Sequence, residues 1–443
     1  MKKLNITLDP PKILVLGFAM LILLGTFLLT LPIATEDGNG LSFINALFTA
    51  TSATCVTGLV VVDTADTFSM FGELVIITLI QIGGLGFMSF ATFFFFLLGK
   101  KISLKERLLL KESLNNLTIE GIVKFVRRIL IFTAVIESVG GIILAIRFSF
   151  DMSIGKAVYY GFFHAISMFN NAGFDLMGGF RSLTPYVDDP TVVLTVCSLI
   201  TLGGLGFIVM NELYEYRDTH RLSMHAKVVL FTTIILTCSA TIFIFFLEYK
   251  NTLAPLSISG KGLGALFQAV TPRTAGANTL PIGDLTQSTL FLTIIFMFIG
   301  AGPGSTAGGI KITTFVVLIA SVWSQIRGKE DVVLFKRRIV METILKALTV
   351  TVSGLFLVII MTMLLSITEK DFDFLMYLFE ATSAFGTVGL SMGLTPELSP
   401  LGKLLIIFTM FAGRLGPLTI GFAIAMRRKP DAFRHPRGKI MIG

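Results

Sequence analysis

The stretch FHAISMFNNAGF, Phe163 to Phe174, sets a short apolar helix directly before a small, polar loop ending in glycine, inside an otherwise apolar chain. Three further stretches repeat its plan: FTATSATCVTGL from Phe48, FQAVTPRTAGAN from Phe267 and FEATSAFGTVGL from Phe379. All four share F-x-A-x-[ST] and then a glycine, pairing Phe48 with Gly58, Phe163 with Gly173, Phe267 with Gly276 and Phe379 with Gly389. The third pair is one residue closer than the others. Matched spacing in four places marks an internal repeat and governs the reading of everything around it.

Each stretch lies between two apolar runs, such as IVKFVRRILIFTAVIESVGGIILAIRF before the second and TVVLTVCSLITLGGLGFIVM after it. A bilayer core about 30 Å thick takes roughly 20 such residues. The 443 residues are 53% apolar and only 14% charged, with a mean hydropathy of +0.83, which excludes an ordinary soluble domain. The N-terminal MKKLNITLDPPKILVLGFAMLILLGTFLLTLPIA begins like a signal peptide, but its apolar run is of span length and lacks a small-residue cleavage site, so it reads as the first span. Cys55, Cys197 and Cys238 form no CxxC pattern and suggest neither a disulfide scaffold nor a zinc site. A net charge of +8 would suit nucleic acid, yet the basic residues cluster between spans. With both termini cytoplasmic, most of the 36 fall inside, from Lys2 and Lys3 through the segments 100–128, 217–227 and 311–346 to the tail from Arg427. The positive-inside rule accounts for this without nucleic acid, and predicts a multi-pass protein of the cytoplasmic membrane.

The apolar part of each repeated stretch is too short to cross, and fits a re-entrant half-helix entering from outside. Glycine-rich, non-helical backbone is tolerated at membrane depth only where it is buried in protein or lines a water-filled cavity. The expected architecture is therefore an all-α integral membrane protein of four tandem span, pore helix, span units around one pseudo-four-fold ion pore. It would hold about eight transmembrane helices and four pore helices. The units divide at 1–115, 116–222, 223–330 and 331–443, the third with its second span broken at 300–309 and the fourth ending in a cytoplasmic tail. Pore helices entering from outside turn their partially negative C-terminal ends inward and favour a cation there. The loops that follow can replace its hydration shell with backbone carbonyls, glycine allowing angles that a side chain forbids. The candidate filter residues are Thr54, Cys55, Val56, Thr57 and Gly58; Asn170, Asn171, Ala172 and Gly173; Thr274, Ala275 and Gly276; and Gly386, Thr387, Val388 and Gly389. Glycine clusters in the second spans (GGLGF at 83–87 and 203–207, GAGPGSTAGG at 300–309, GRLGP at 413–417) suit close helix approach or a bend. The third of these lacks the GK[ST] of a phosphate-binding loop.

The strings ATCVTGL, NNAGF, TPRTAG, SAFGTVGL, GAGPGSTAGGIK and GRLGPLT together resemble the Trk/Ktr/HKT superfamily of potassium transporters, and most of all the membrane subunit of a bacterial Ktr uptake system. The resemblance spans nearly the whole chain. It implies that Gly58, Gly173, Gly276 and Gly389 line a selectivity filter for potassium. It implies an intramembrane gate beneath, built by Gly300, Ala301, Gly302, Pro303, Gly304, Ser305, Thr306, Ala307, Gly308 and Gly309 with Arg414 as partner. It also implies a homodimer, one pore per protomer, docked on a cytosolic nucleotide-binding ring of regulatory subunits. In plant relatives a serine at the first filter position accompanies sodium transport; Gly58 here favours potassium. Two departures stand out: TAGAN, without an aromatic after its glycine and one residue shorter in spacing, sets the third filter strand apart from the other three, and the lack of a TVGYG-like string predicts looser selectivity with sodium as a secondary ion.

Arg414 falls inside an apolar run, where a charge costs at least ~2.5 kcal/mol and calls for a partner. Glu137 reads equally as a functional intramembrane acid or as one paired with another helix. Arg273 beside the third loop would repel a permeant cation unless a carboxylate or helix-end carbonyls neutralise it, and reads as a structural clamp. His164 reads as a packing residue. No nucleophile, base and orienter converge at any motif, so an enzyme is not expected. The expected function is potassium uptake through a gated, channel-like filter, driven by a membrane potential worth about 2.3 kcal/mol per charge per 100 mV. The alternative is a sodium- or proton-coupled secondary transporter working by alternating access, which would favour inverted halves and more buried carboxylates than Glu137. The basic cytoplasmic loops and tail offer surfaces to membrane lipid or a partner chain.

Overall fold

The computed structural model describes residues 10–86 and 122–416. Its helices follow one plan four times. In the first unit, α1 (Pro10–Leu29) is followed by the short α2 (Phe43–Thr54), a one-turn α3 (Thr64–Thr67) and α4 (Met70–Leu85). The second holds α5 (Ile122–Phe148), α6 (Ile154–Phe169), α7 (Pro190–Leu205) and α8 (Phe207–Thr219). The third holds α9 (Met224–Glu248), α10 (Ile258–Val270), α11 (Gln287–Phe298) and α12 (Ile312–Ile326). A two-residue hairpin pairing Val333–Leu334 with Arg337–Arg338 leads to the fourth: α13 (Met341–Thr368), α14 (Phe374–Gly386), the one-turn α15 (Leu394–Glu397) and α16 (Pro400–Leu415).

Four of these helices are long and apolar enough to cross a membrane: Lys12–Leu29, Val123–Phe148, Met224–Glu248 and Met341–Thr368, the first span of each unit. The bent pair α7 and α8 adds a further candidate. This is a multi-pass membrane protein, and its burial runs opposite to that of a soluble one. Phe231, Ile234, Ile242, Phe243 and Phe246 of α9 are exposed where lipid would lie, while Thr51, Ser52, His164, Gln268 and Glu380 of the short helices are fully buried. The motif phenylalanines Phe48, Phe163, Phe267 and Phe379 are buried beside them.

The junctions around each motif are stapled unit by unit. Each second span starts on a side-chain N-cap: Ser69 to Gly72, Asp189 to Thr191 and Val192, Thr286 to Thr289, Ser399 to Gly402. Such caps satisfy the first orphan N–H groups of a helix. The end of the first span then holds the cap. Glu248 accepts from Thr286 N at 2.9 Å and Oγ1 at 2.7 Å, and Glu369 accepts from Ser399 N at 3.0 Å and Oγ at 2.6 Å. Arg147 pairs with Asp189 in the second unit, and Ser69 Oγ donates to the Ile33 carbonyl at 2.5 Å in the first. The segment between span and cap, which carries the motif, is thereby pinned at both ends.

The glycine clusters, read from the sequence as sites of close approach or a bend, do break a second helix: Gly206 (φ +93°) ends α7 and turns the chain by 98° into α8. Gly86 and Gly416, at the same place in GGLG and GRLG, take φ +83° and end α4 and α16. A left-handed residue stops an α-helix because the next N–H no longer points along it. The basic loop 100–121, the terminal lysines and the C-terminal tail lie outside the described residues.

Candidate ion pathway

The [ST] of the repeated motif positions the loop that follows it. Ser52 accepts the Thr57 N–H on its carbonyl at 2.8 Å and the Gly58 N–H on its hydroxyl at 3.1 Å. Ser383 treats Val388 and Gly389 alike, at 2.8 and 3.1 Å. The Ser167 carbonyl accepts from Ala172 N at 2.8 Å and its hydroxyl donates to the Phe174 carbonyl at 2.6 Å. The Thr271 carbonyl accepts from Ala275 N at 2.9 Å and its hydroxyl donates to the Ala277 carbonyl. The backbone bond spans five residues in three loops and four in the third. The missing residue is absorbed there, and Gly276 keeps register.

Anchored in this way, the loops share an unusual backbone. Two residues before each glycine, Val56, Asn171, Thr274 and Thr387 take φ of +57°, +60°, +76° and +49°, and the glycines themselves take +92°, +70°, +78° and +94°. Left-handed angles at β-branched valine and threonine cost about 1–3 kcal/mol each and survive only where the surroundings impose them. The glycines form a closed ring. A Cβ on Gly58 would overlap the Ala172 carbonyl, one on Gly173 that of Ala275, one on Gly276 that of Val388 and one on Gly389 that of Thr57. Four loops therefore surround one axis, each glycine against a carbonyl of the next loop. The N–H groups of Val56, Thr57, Gly58, Asn171, Ala172, Ala275, Thr387, Val388 and Gly389 turn back to the short helices, and the carbonyls of 56–58, 171–173, 274–276 and 387–389 accept no hydrogen bond among the described residues. Val56, Thr57, Asn171, Ala172, Thr274, Ala275, Thr387 and Val388 are nevertheless fully buried. Buried carbonyls ordinarily find donors, and a ring of them without donors suits a dehydrated cation.

On one side all four glycines open onto a single cavity of about 560 Å³, walled also by Asp63, Asp175, Ser182, Asn278 and Met392. On the other side the second spans press close. A Cβ on Gly83, Gly203 or Gly413 would overlap the carbonyl of Thr54, Phe169 or Phe385 at the C-terminal end of a short helix, so the glycine clusters serve close approach as well as bending. The loop 300–309 lies among them. Its neck closes through Gly300 N to Ile310 O (2.8 Å) and Ile312 N to Ala301 O (3.0 Å). It docks on the break of the second unit through Gly302 N to Gly204 O (2.8 Å), Phe207 N to Gly304 O (3.0 Å) and Thr306 N to Gly203 O (3.3 Å). Arg414 donates to the carbonyls of Thr306 and Gly83, joining this loop to α4. At Gly308 a Cβ would overlap the Thr387 hydroxyl, so the loop reaches the fourth candidate filter loop.

Residues 11–433 match the profile of the TrkH family, described as a cation transport protein. The chain belongs to the TrkH/Ktr family of cation transporters. It is 48% identical over 436 residues to Ktr system potassium uptake protein B of Bacillus subtilis, covering 98% of this chain and 97% of that one. Potassium/sodium uptake protein NtpJ of Enterococcus hirae is 39% identical over 449 residues, covering 100% and 99%. Among solved structures, the potassium transporter TrkH from Vibrio parahaemolyticus superposes with a TM-score of 0.76 at 18% identity, over 96% of this chain and 86% of that one, a likeness of fold.

In this TrkH-family protein the singled-out charges fall as follows. Glu137 is paired, accepting from Gln81 Nε2 at 3.1 Å and from Asn170 Nδ2 at 3.0 Å. His164 packs, its Nδ1 on the Tyr160 carbonyl at 2.7 Å and its Nε2 facing the Leu176 N–H at 3.4 Å. Among the described residues the Arg273 side chain meets neither a carboxylate nor a helix-end carbonyl: it donates to the Thr237 hydroxyl at 2.7 Å, which ties the third loop to α9, and its Nε has no partner there. Lys311, counted from the sequence among the topology charges, also donates into the loop, to Ala307 O at 2.7 Å and Gly308 O at 3.2 Å. Its place directly after the glycine run was the only signal of that role.

Asp175, two residues beyond Gly173, stands at the cavity wall with the Met177 N–H on its Oδ1 at 3.0 Å. Burial, with Asp63 nearby adding to it, pushes its carboxyl up to about 6. Its charge is present above that value and is lost as the pH falls through it. Potassium uptake at sub-saturating potassium is expected to drop about threefold across that window, and Asp175→Asn to show the low rate at neutral pH without the titration. Initial uptake rates against external pH check this; an Asp175→Asn protein that keeps the native profile would refute it.

Proposed function

We propose that this chain takes potassium into the cell through a selectivity filter formed by the four glycine loops. One observation carries the reading: four loops from four units set Gly58, Gly173, Gly276 and Gly389 in a closed ring whose buried carbonyls find no donor among the described residues. The names of its relatives, a Ktr system potassium uptake protein and a potassium/sodium uptake protein, support potassium as the main permeant ion and sodium as a secondary one. Loop 300–309 acts as the gate, held by Arg414 and Lys311. The four units around the ring are those bounded at 115, 222 and 330, with about eight transmembrane helices and both termini in the cytosol. By the same likeness the protein works as a homodimer in the cytoplasmic membrane, on a cytosolic nucleotide-binding regulatory ring, with anionic lipid at its basic loops.

The experiment is ion uptake into proteoliposomes holding a potassium gradient alone. Uptake that follows the imposed membrane potential, with no second gradient, is expected. Uptake that strictly requires a sodium or proton gradient would replace the channel-like reading with the coupled one.

A further inference from the structure

Glu137 lies in the apolar span α5, where an uncompensated carboxyl is costly. It is 7% exposed and meets two other polar side chains from different elements. Gln81 of α4 gives its Nε2 to one carboxyl oxygen at 3.1 Å, and Asn170, capping α6, gives its Nδ2 to the other at 3.0 Å. Asn170 Nδ2 also reaches Gln81 Oε1 at 2.7 Å and the Ile166 carbonyl at 2.9 Å. The triangle is closed, and the two amide hydrogens of Asn170 face three acceptors. The Asn170 Oδ1 occupies the space where a Cβ of Gly84 would stand. The amide is thus held on both sides.

What this arrangement fixes is the start of the second candidate filter loop. Asn170 immediately precedes Asn171 (φ +60°), which begins the left-handed run to Gly173. The residues three before the other glycines are Cys55, Arg273 and Gly386. Only Arg273 reaches a first span, through Thr237 of α9, by one neutral hydroxyl. The second loop is therefore the one tied by a carboxyl and two amides to spans of two units.

We propose that Glu137 is a positioning residue for ion selection: through Asn170 it fixes the second filter loop, and removing it relaxes the preference for potassium over sodium. This rests on the filter reading above. The test compares potassium and sodium uptake into proteoliposomes for the native protein, Glu137→Met, Asn170→Ala, the double variant and Gly173→Ser. Methionine keeps the volume and removes both acceptors. Glu137→Met is expected to lower the potassium-to-sodium ratio about tenfold, Asn170→Ala to do the same, and the double variant to fall no further than either. A native ratio in Glu137→Met beside a reduced one in Gly173→Ser overturns the inference and leaves the filter standing. Native ratios in both overturn the filter itself. Should Glu137→Met not survive extraction, the same ratio is read by uptake in potassium-depleted cells, where an unchanged value refutes the proposal equally. A role confined to stability would alter the amount of transport but not the ratio.

Discussion

Gly173→Ser is expected to lower the preference for potassium over sodium by about tenfold or more and to slow potassium uptake, in a protein that still folds. The residue sits at φ +70°, where any side chain costs roughly 1–2 kcal/mol. A Cβ there would lie 2.5 Å from the Ala275 carbonyl oxygen and 2.8 Å from the Gly276 Cα. Both are backbone atoms of the third loop, pinned by Thr271, so relief must come from displacing a loop and not from turning a side chain. The ring then loses its register at two of its four sides, and carbonyls that matched one ion's shell no longer do. Gly58→Ser and Gly389→Ser, which overlap the Ala172 and Thr57 carbonyls, are expected to act alike. Gly155→Ala, at an exposed site where a Cβ meets nothing within 4 Å, is the control. Paired potassium and sodium uptake in proteoliposomes decides it. A native ratio in Gly173→Ser would mean that the ring is not where ions are chosen.

The ring was legible in the sequence because its parts repeat. F-x-A-x-[ST] locates each short helix, and the hydroxyls of Ser52, Ser167, Thr271 and Ser383 turn out to be what ties each loop to it. Spacing alone left the third loop one residue short; only the Thr271 to Ala275 bond shows how the difference is taken up. Left-handed Val56 and Thr387 could not have been read, since nothing in their chemistry favours that conformation and the packing around them imposes it. The cluster at 203–207 read as suited to close approach or a bend, and which of the two Gly206 makes depends on what comes to dock there, namely loop 300–309. The bonds of Lys311 were not legible for a related reason. A lysine after a glycine run resembles any cytoplasmic charge until the loop curls back and presents its carbonyls.

Arg414→Ala is expected to raise potassium flux through the isolated protein by about tenfold and to weaken its control by any regulatory partner. Among the described residues the guanidinium is the one side chain that joins loop 300–309 to the first unit, through the carbonyls of Thr306 and Gly83. Hydrogen bonds from a charged donor contribute about 1.5–3 kcal/mol each, so losing two shifts a balance between a docked and a released loop by more than a factor of ten. The remaining tethers, to Phe169, Gly203, Gly204 and Phe207, all belong to the second unit and hold the loop from that side. Released there, Gly308 no longer lies close against the Thr387 hydroxyl of the fourth candidate filter loop, and the space beside the ring is expected to widen. Arg414→Lys, which can reach one carbonyl but not fork to two, is expected to lie between native and alanine. Flux from single reconstituted preparations, normalised to protein and measured without a regulatory subunit, is the readout. If Arg414→Ala lowers flux while the potassium-to-sodium ratio stays native, Arg414 holds the pathway open instead of shut, and the loop is a support for the ring and not its gate.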